Sequence, residues 1–177
     1  MNVDVLRLGH RYVRDDRVTM HVFLTARAFG AGKVIYSGQK DEKMEEGVKK
    51  VVDMWGGLFK VEYVSDWKQT IKKWEEKGGE VVHLTIYGLP VQNVIHEIRD
   101  SKKDKIIVVG GAKVPRLVYE LADWNVAVTS QPHSEISALS VFLHEIFQGE
   151  ELYKTFKDAK LLVISQSKGK KIERIKS

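Results

Sequence analysis

The sequence predicts an α/β domain in which a mainly parallel sheet lies between helices, and three observations predict it. Strand-type and helix-type patterns alternate along the 177 residues. Residues 105–109 are almost wholly apolar, as befits a central strand covered on both faces. Each strand pattern ends in glycine or a turn.

The elements follow in order. Val3, Val5, Leu6 and Leu8 stand around Asp4 and Arg7 and the pattern stops at Gly9, which predicts a strand over 3–8 leaving into a basic loop. Residues 18–29 read as a helix and 33–36 as a short strand. Residues 41–55 carry Met44, Val48, Val51, Val52 and Trp55 on one helical face before Gly56-Gly57. A strand over 58–64 precedes a helix over 66–77, with Trp67, Ile71 and Trp74 on one side and Gly78-Gly79 behind it. The alternation continues with a strand over 80–87, a helix over 91–99 entered by Pro90, the apolar strand 105–109, and a short helix over 114–122 with Pro115 in its first turn. A strand over 125–129 and a helix over 134–147 follow. Residues 161–165 and 171–175, joined across Lys168-Gly169-Lys170, read as a β-hairpin. No linker, repeat or low-complexity segment divides the chain, so residues 1–177 read as one domain with 160–177 as a basic hairpin extension.

With 43% hydrophobic and 30% charged residues, the chain has material for a real core. It carries no run long enough for a membrane helix, and Met1-Asn2-Val3-Asp4 lacks the features of a signal peptide. The expectation is a soluble cytoplasmic protein with no membrane partner. Zero cysteines exclude disulfides, thiol nucleophiles and Cys-based metal sites. Of the net charge of +5, residues 167–177 supply +4, because Lys168, Lys170, Lys171, Arg174 and Lys176 stand against Glu173 alone. A second basic cluster, Arg7, His10, Arg11, Arg14 and Arg17, is offset by Asp15 and Asp16. Two such clusters suit a polyanion such as RNA.

Several familiar sites are absent. Gly30-Ala31-Gly32-Lys33-Val34 resembles the end of a P-loop, but position 27 is Arg and position 34 is Val where Gly and Ser/Thr are needed. No G-x-G-x-x-G follows an early strand. His96-Glu97 and His144-Glu145 lack the second histidine of a zincin, G-x-S-x-G does not occur, and no metal site is expected.

The unusual residues gather at the ends of three successive strands, where an open α/β sheet places a ligand. The segments are 83–88 (HLTIYG), 109–115 (VGGAKVP) and 128–135 (VTSQPHSE). Gly88, Gly110 and Gly111 leave room for backbone groups to approach a ligand. In the first half, Arg27 sits in an apolar helix end, Leu24-Thr25-Ala26-Arg27-Ala28. A guanidinium buried there needs a carboxylate or a ligand anion as partner.

Four blocks in order, 6–31, 83–88, 108–115 and 131–139, closely resemble the archaeal tRNA cytidine 2′-O-methyltransferases of the SPOUT superfamily. The resemblance implies a homodimer, a deep trefoil knot in the C-terminal half, and bound S-adenosyl-methionine. The implied reaction is methylation of the ribose 2′-hydroxyl of cytidine at tRNA position 56. The cofactor would lie among Leu84, Tyr87 and Gly88 of the first loop and Gly110, Gly111, Ala112, Lys113 and Val114 of the second. The third loop would add Val128, Thr129, Ser130, Gln131, Pro132, His133, Ser134 and Glu135. Where 2′-O-methylating relatives carry Asn six residues before the arginine, and Ser-x-Asn in the third motif, this chain has His21 before Arg27 and His133-Ser134-Glu135.

Methyl transfer to a hydroxyl is an in-line displacement that needs alignment and removal of a tightly held proton. Arg27, a poor base and a good phosphate anchor, is assigned orientation and stabilisation of the developing alkoxide. His133, Glu135 or the phosphate beside the ribose is left to take the proton. His10, Arg11, Arg14, Arg17 and His21, with Lys168, Lys170, Lys171 and Arg174 of the hairpin, are the expected RNA contacts. His83, His96 and His144 read as structural, and Trp67 and Trp74 as packing. Two rival readings stand: a SPOUT-fold 2′-O-methyltransferase acting on another tRNA or rRNA nucleotide, and a non-enzymatic α/β RNA-binding module, which explains the charge but not the isolated Arg27 together with three polar strand ends.

Overall fold

The computed structural model describes residues 1–111 and 113–175. Six strands form one all-parallel sheet in the order β3-β2-β1-β5-β4-β6. They are β1 Val3–His10, β2 Lys33–Gly38, β3 Lys60–Tyr63, β4 Glu80–Pro90, β5 Lys105–Gly110 and β6 Trp124–Ala127. The helices are α1 Asp16–Ala28, α2 Glu42–Trp55, α3 Trp67–Glu76, α4 Val91–Asp100, α5 Arg116–Leu121 and α6 Glu135–Phe147. A short 3-10 turn, Glu150–Tyr153, which the sequence did not signal, leads to the antiparallel pair β7 Leu161–Ile164 and β8 Lys171–Arg174. Among the described residues no helix is long and apolar enough to cross a membrane.

Side-chain alternation decides which helix covers which face. Val3, Val5, Val82, Leu84, Ile107 and Val109 face one way and pack with α1, α2, α4 and α6 through Phe23, Val48, Ile95 and Phe142. Leu6, Leu8, Val81, Ile106 and Val108 face the other way, onto Ile71 and Trp74 of α3 and Val118 of α5. The central strands therefore read as continuous apolar runs. Asp41 and Asp66 start α2 and α3 by accepting from the Met44 amide at 2.9 Å and the Lys68 amide at 2.9 Å.

Two differences from the sequence reading have physical causes. The first strand runs past Gly9 to His10, because Gly9 adopts a φ of +69° that lets the strand bend while His10 still pairs with Gly38. The fourth strand pairs with β6 at Leu84, leaves the register, and pairs again at Leu89 and Pro90. The excursion between carries the first polar loop out of the sheet.

At the amino edge, Lys105 is fully buried. Its Nζ donates to the Ser101 hydroxyl at 2.7 Å and the Lys103 carbonyl at 2.7 Å, and lies 3.0 Å from Glu80 Oε2. Burial pushes the Glu80 carboxyl up, but the bonds from Lys105 and Ser101 outweigh it and hold the group below its ordinary value. Lys105→Met removes the ammonium beneath Glu80. The expected cost is about 2–4 kcal/mol, read as a Tm lower by roughly 5–15 °C. Because the folded Glu80 is held below its unfolded value, its contribution is present above about pH 4.5 and lost as pH falls further. The variant's deficit in Tm therefore narrows below that pH.

Candidate active site

Parallel strands bring all six carboxyl ends to one edge, and two cavities open there. The first, of about 430 Å³, lies at the ends of β4, β5 and β6. Leu84 and Tyr87 come from the first loop, Gly110, Gly111 and Val114 from the second, and Val128, Pro132, His133, Ser134 and Glu135 from the third. The structure thus unites most of the residues expected to hold the cofactor. Gly88 stands behind the cavity, where an added Cβ would lie 2.5 Å from the Asn125 carbonyl and the Val126 amide. Thr129, Ser130 and Gln131 form an exposed turn, closed by the Gln131 amide donating to Thr129 Oγ1 at 3.2 Å. Lys113 lines the neighbouring cavity instead, and Ala112 lies outside the described residues.

The cavity also holds residues that sequence reasoning did not assign to it. His83, read as structural, is fully buried and lines the wall. Asn125 fixes its ring: the amide nitrogen of Asn125 donates to the Tyr119 carbonyl at 2.9 Å, which aims Oδ1 at His83 Nδ1, 2.9 Å away. His83 Nδ1 is therefore the donor, and Nε2 is left buried without a partner. The Tyr119 ring packs edge-on at 4.6 Å, and its hydroxyl lies 3.3 Å from Thr85 Oγ1. The signal for His83 was a polar residue at a core-facing strand position; Tyr119 on its helix gave none.

Beneath the second and third loops lies Arg7 of β1, which is 1% exposed. Its NH1 donates to the Leu8 carbonyl at 2.8 Å and its NH2 lies 3.3 Å from Glu135 Oε1. A Cβ on Gly111 would sit 3.6 Å from the same NH2. Arg7 thus touches one loop and holds the other by charge. Burial lowers its pKa, and the Glu135 carboxylate opposes that shift. Sequence reasoning counted Arg7 only as surface basicity.

Arg27 is placed elsewhere. Helix α1 runs antiparallel to β1, so Asp16 stands near His10 at the carboxyl edge and Arg27 lies about 17 Å further along the helix, at the amino edge. Within one chain it does not reach the three loops that line the cleft. Of the two partners expected for it, a carboxylate or a ligand anion, the first is not found among the described residues. Its NH2 donates to the Gly56 carbonyl at 2.6 Å, at the C-terminus of α2, and its guanidinium carbon lies 4.4 Å from the Phe156 ring centroid. A helix-end carbonyl and an aromatic face thus serve in place of an anion. Burial lowers its pKa with no carboxylate to oppose it, and Nε has no partner.

His10 is also corrected as an RNA contact. The extended β1 buries it completely, with Nδ1 3.0 Å from Thr19 Oγ1 and Nε2 3.4 Å from Asp41 Oδ2. Arg11 is exposed but gripped by Asp15 at 2.9 Å. Arg14, Arg17 and His21 are exposed, as are Lys168, Lys170, Lys171 and Arg174. The hairpin pairs with no strand of the main sheet and leans on the end of α2, where the Lys160 amide donates to the Met54 carbonyl at 3.0 Å. His96 and His144 keep structural partners, Arg99 at 2.9 Å and Glu151 at 2.6 Å.

Residues 55–173 match the profile of the tRNA ribose 2′-O-methyltransferase, aTrm56. The chain belongs to that family. The protein named tRNA (cytidine(56)-2′-O)-methyltransferase of Methanothermobacter thermautotrophicus is 56% identical over 175 residues, covering 99% of this chain and 98% of its own. Its namesake in Methanopyrus kandleri is 52% identical over 171 residues, covering 97% and 96%. Among solved structures, the A. aeolicus TrmH/SpoU tRNA modifying enzyme superposes with a TM-score of 0.62 at 17% identity, over 86% of this chain and 77% of that one. The SpoU methyltransferase AviRb of Streptomyces viridochromogenes, in complex with AdoMet, superposes with a TM-score of 0.60 at 13% identity, over 84% and 58%. The family member described here therefore has the SpoU/TrmH fold.

The tautomer of His83 has a measurable consequence. Burial lowers its pKa, and the hydrogen bond with Asn125 only partly offsets this. The folded protein thus binds this proton less readily than the unfolded chain, so the contribution is present above about pH 6.5 and lost as pH falls through the lowered folded value. His83→Gln keeps a donor for Asn125 and cannot titrate. Chemical denaturation at pH 7.5 and 5.5 is expected to show a smaller acid loss of stability in this variant than in the wild type.

Proposed function

We propose that this family member transfers a methyl group from S-adenosyl-methionine to the ribose 2′-hydroxyl of cytidine 56 in tRNA. The observation that carries the reading is the 56% identity, along nearly the whole chain, with a relative named for that reaction. The cleft supports the donor. Its volume of about 430 Å³ falls in the range of small-molecule sites. Gly110 keeps it open, since a Cβ there would meet Val114 Cγ2 at 2.2 Å. The ring of His83 forms part of the wall, with Nε2 buried and unpartnered among the described residues. Leu84, Ile86, Val128 and Ala138 supply apolar wall.

When bound, the donor supplies an electrophilic methyl on a sulfonium; its neutral thioether leaving group calls for no metal. The chain's residues must align the ribose and remove its proton. Glu135 is held by Arg7 at 3.3 Å, so its charge is committed to keeping the third loop in place. His133 is exposed at the rim, with Nδ1 3.0 Å from the Ser134 carbonyl. A carbonyl can only accept, so Nδ1 is the donor in that contact, and Nε2 makes no hydrogen bond among the described residues. We assign proton removal to His133 on this ground.

Arg27 keeps its assignment to the phosphate and the developing alkoxide, which its place at the amino edge permits only from a second copy of the chain. The homodimer is thus part of the proposal, as are a single domain over 1–177 and a cytoplasmic location shared with tRNA. The trefoil knot is part of it too. Strand β6 lies at the sheet edge, yet α6 packs inward against α1, α4, β4 and β5. The segment joining them must cross the carboxyl ends of β4 and β5, and that crossing is read as the knotted passage. The exposed basic residues Arg14, Arg17, Lys168, Lys170, Lys171 and Arg174 serve the RNA backbone.

The test is transfer of labelled methyl to unmodified tRNA transcript. Wild type is expected to label the transcript and to leave one with 2′-deoxycytidine at position 56 unlabelled; labelling of both would overturn the ribose assignment. His133→Ala is expected to lower kcat by about 10²–10⁴-fold and Glu135→Gln to act mainly through donor affinity. Arg27→Ala, mixed with an excess of a second inactive variant such as His133→Ala, is expected to regain activity, because mixed dimers rebuild one complete site. No regain would sink the shared-site reading.

A further inference from the structure

The second cavity at the carboxyl edge has no assigned role. It measures about 680 Å³ and opens at the ends of β1, β2, β3 and β5. Gly111 lines both it and the donor cleft, so the two are contiguous. It sits where the crossovers from β1 and from β5 leave the sheet in opposite directions, which is where open α/β sheets bind ligands.

Its walls differ in charge from every other cavity described. Arg11, Arg14 and Lys113 line it with no carboxylate among the lining residues, whereas the other cavities each include glutamate. Arg11 is occupied by Asp15 at 2.9 Å. Among the described residues, the side chains of Arg14 and Lys113 make neither an ion pair nor a hydrogen bond, so two cations are left for an anion. The half-buried indole of Trp67 rests on the core under the sheet and also lines the cavity, with Lys68 Nζ 5.9 Å from its ring centroid. Ser37 and Ser65 add hydroxyls. Two free cations, one aromatic face and hydroxyls form the recognition set of a single nucleotide: phosphate to the cations, base to the ring.

Resting on the activity proposed above, we propose that this cavity receives the target nucleotide after it leaves the RNA stack. A nucleotide whose 2′-hydroxyl is to be methylated must be exposed first. A cavity that shares one wall with the donor cleft is placed to hold it. Trp67 takes the base, and Arg14 and Lys113 take the flanking phosphates.

Two measurements test this. A transcript carrying 5-iodocytidine at position 56, irradiated on the enzyme, is expected to form its adduct in the peptide containing Trp67. An adduct in residues 128–135, or none above that of a transcript with the substitution elsewhere, overturns the assignment. In steady-state kinetics, Arg14→Ala and Trp67→Leu are expected to lower kcat/KM for tRNA at least tenfold while the Kd for S-adenosyl-methionine without RNA changes less than twofold. Arg14 is exposed, so its variant stays informative if Trp67→Leu fails to fold. Wild-type transfer with both variants unimpaired removes this proposal alone. No transfer by the wild type removes the activity on which it rests.

Discussion

Six strands that run in one direction deliver every strand's carboxyl end to one edge and every amino end to the other, and the distribution of function follows from that constraint. Loops after β4, β5 and β6 meet because their strands are neighbours. The ends of β1, β2 and β3 build the adjoining cavity. A helix that returns from the carboxyl edge must end at the amino edge, so Arg27 is carried away from the cleft however strongly its surroundings mark it. The same geometry that gathers both cavities at one edge places the two buried arginines, Arg7 and Arg27, at opposite edges.

Arg7 joins the two halves of the carboxyl edge. A guanidinium fully buried in a central strand is costly unless its charge is met, and Glu135 meets it at 3.3 Å. Glu135 is also the first residue of α6, where a negative charge suits the positive helix end. Ser134 caps the same helix, its Oγ accepting from the Ile136 amide at 3.2 Å. Three local forces therefore fix the third loop between β1 and α6. The exposed turn at residues 129–131, held among the described residues by its own internal hydrogen bond, is left to adapt.

The sheet and its helices were legible because a two-residue alternation and glycine punctuation are local properties. The three loops that line the cleft were legible for the same reason: a strand ending in Gly110-Gly111 or in 131–135 declares itself in a few residues. Arg7 was not, because a charged residue at one strand position looks alike whether it meets water or a carboxylate 128 positions away. His10 was misread because nothing local shows that a strand continues through a glycine. Arg27 was found as a residue and lost as a location, since its chemistry lies in its neighbours and its place lies in the topology. The pocket face of Trp67 was hidden behind its packing face, and one ring serves both.

The two buried arginines show how a structure separates support from reactivity. Both have an unpartnered Nε, and burial lowers the pKa of both. Arg7 faces a carboxylate, so the pair is close to neutral and its strength goes into holding a loop. Arg27 faces a carbonyl dipole and an aromatic ring, neutral groups that stabilise the cation without cancelling its charge. Such a guanidinium still projects a full positive field into surroundings that screen it poorly. A phosphate or an alkoxide gains from that field; it gains little from Arg7. That difference is the ground on which Arg27, and not Arg7, is proposed to meet the substrate's anion.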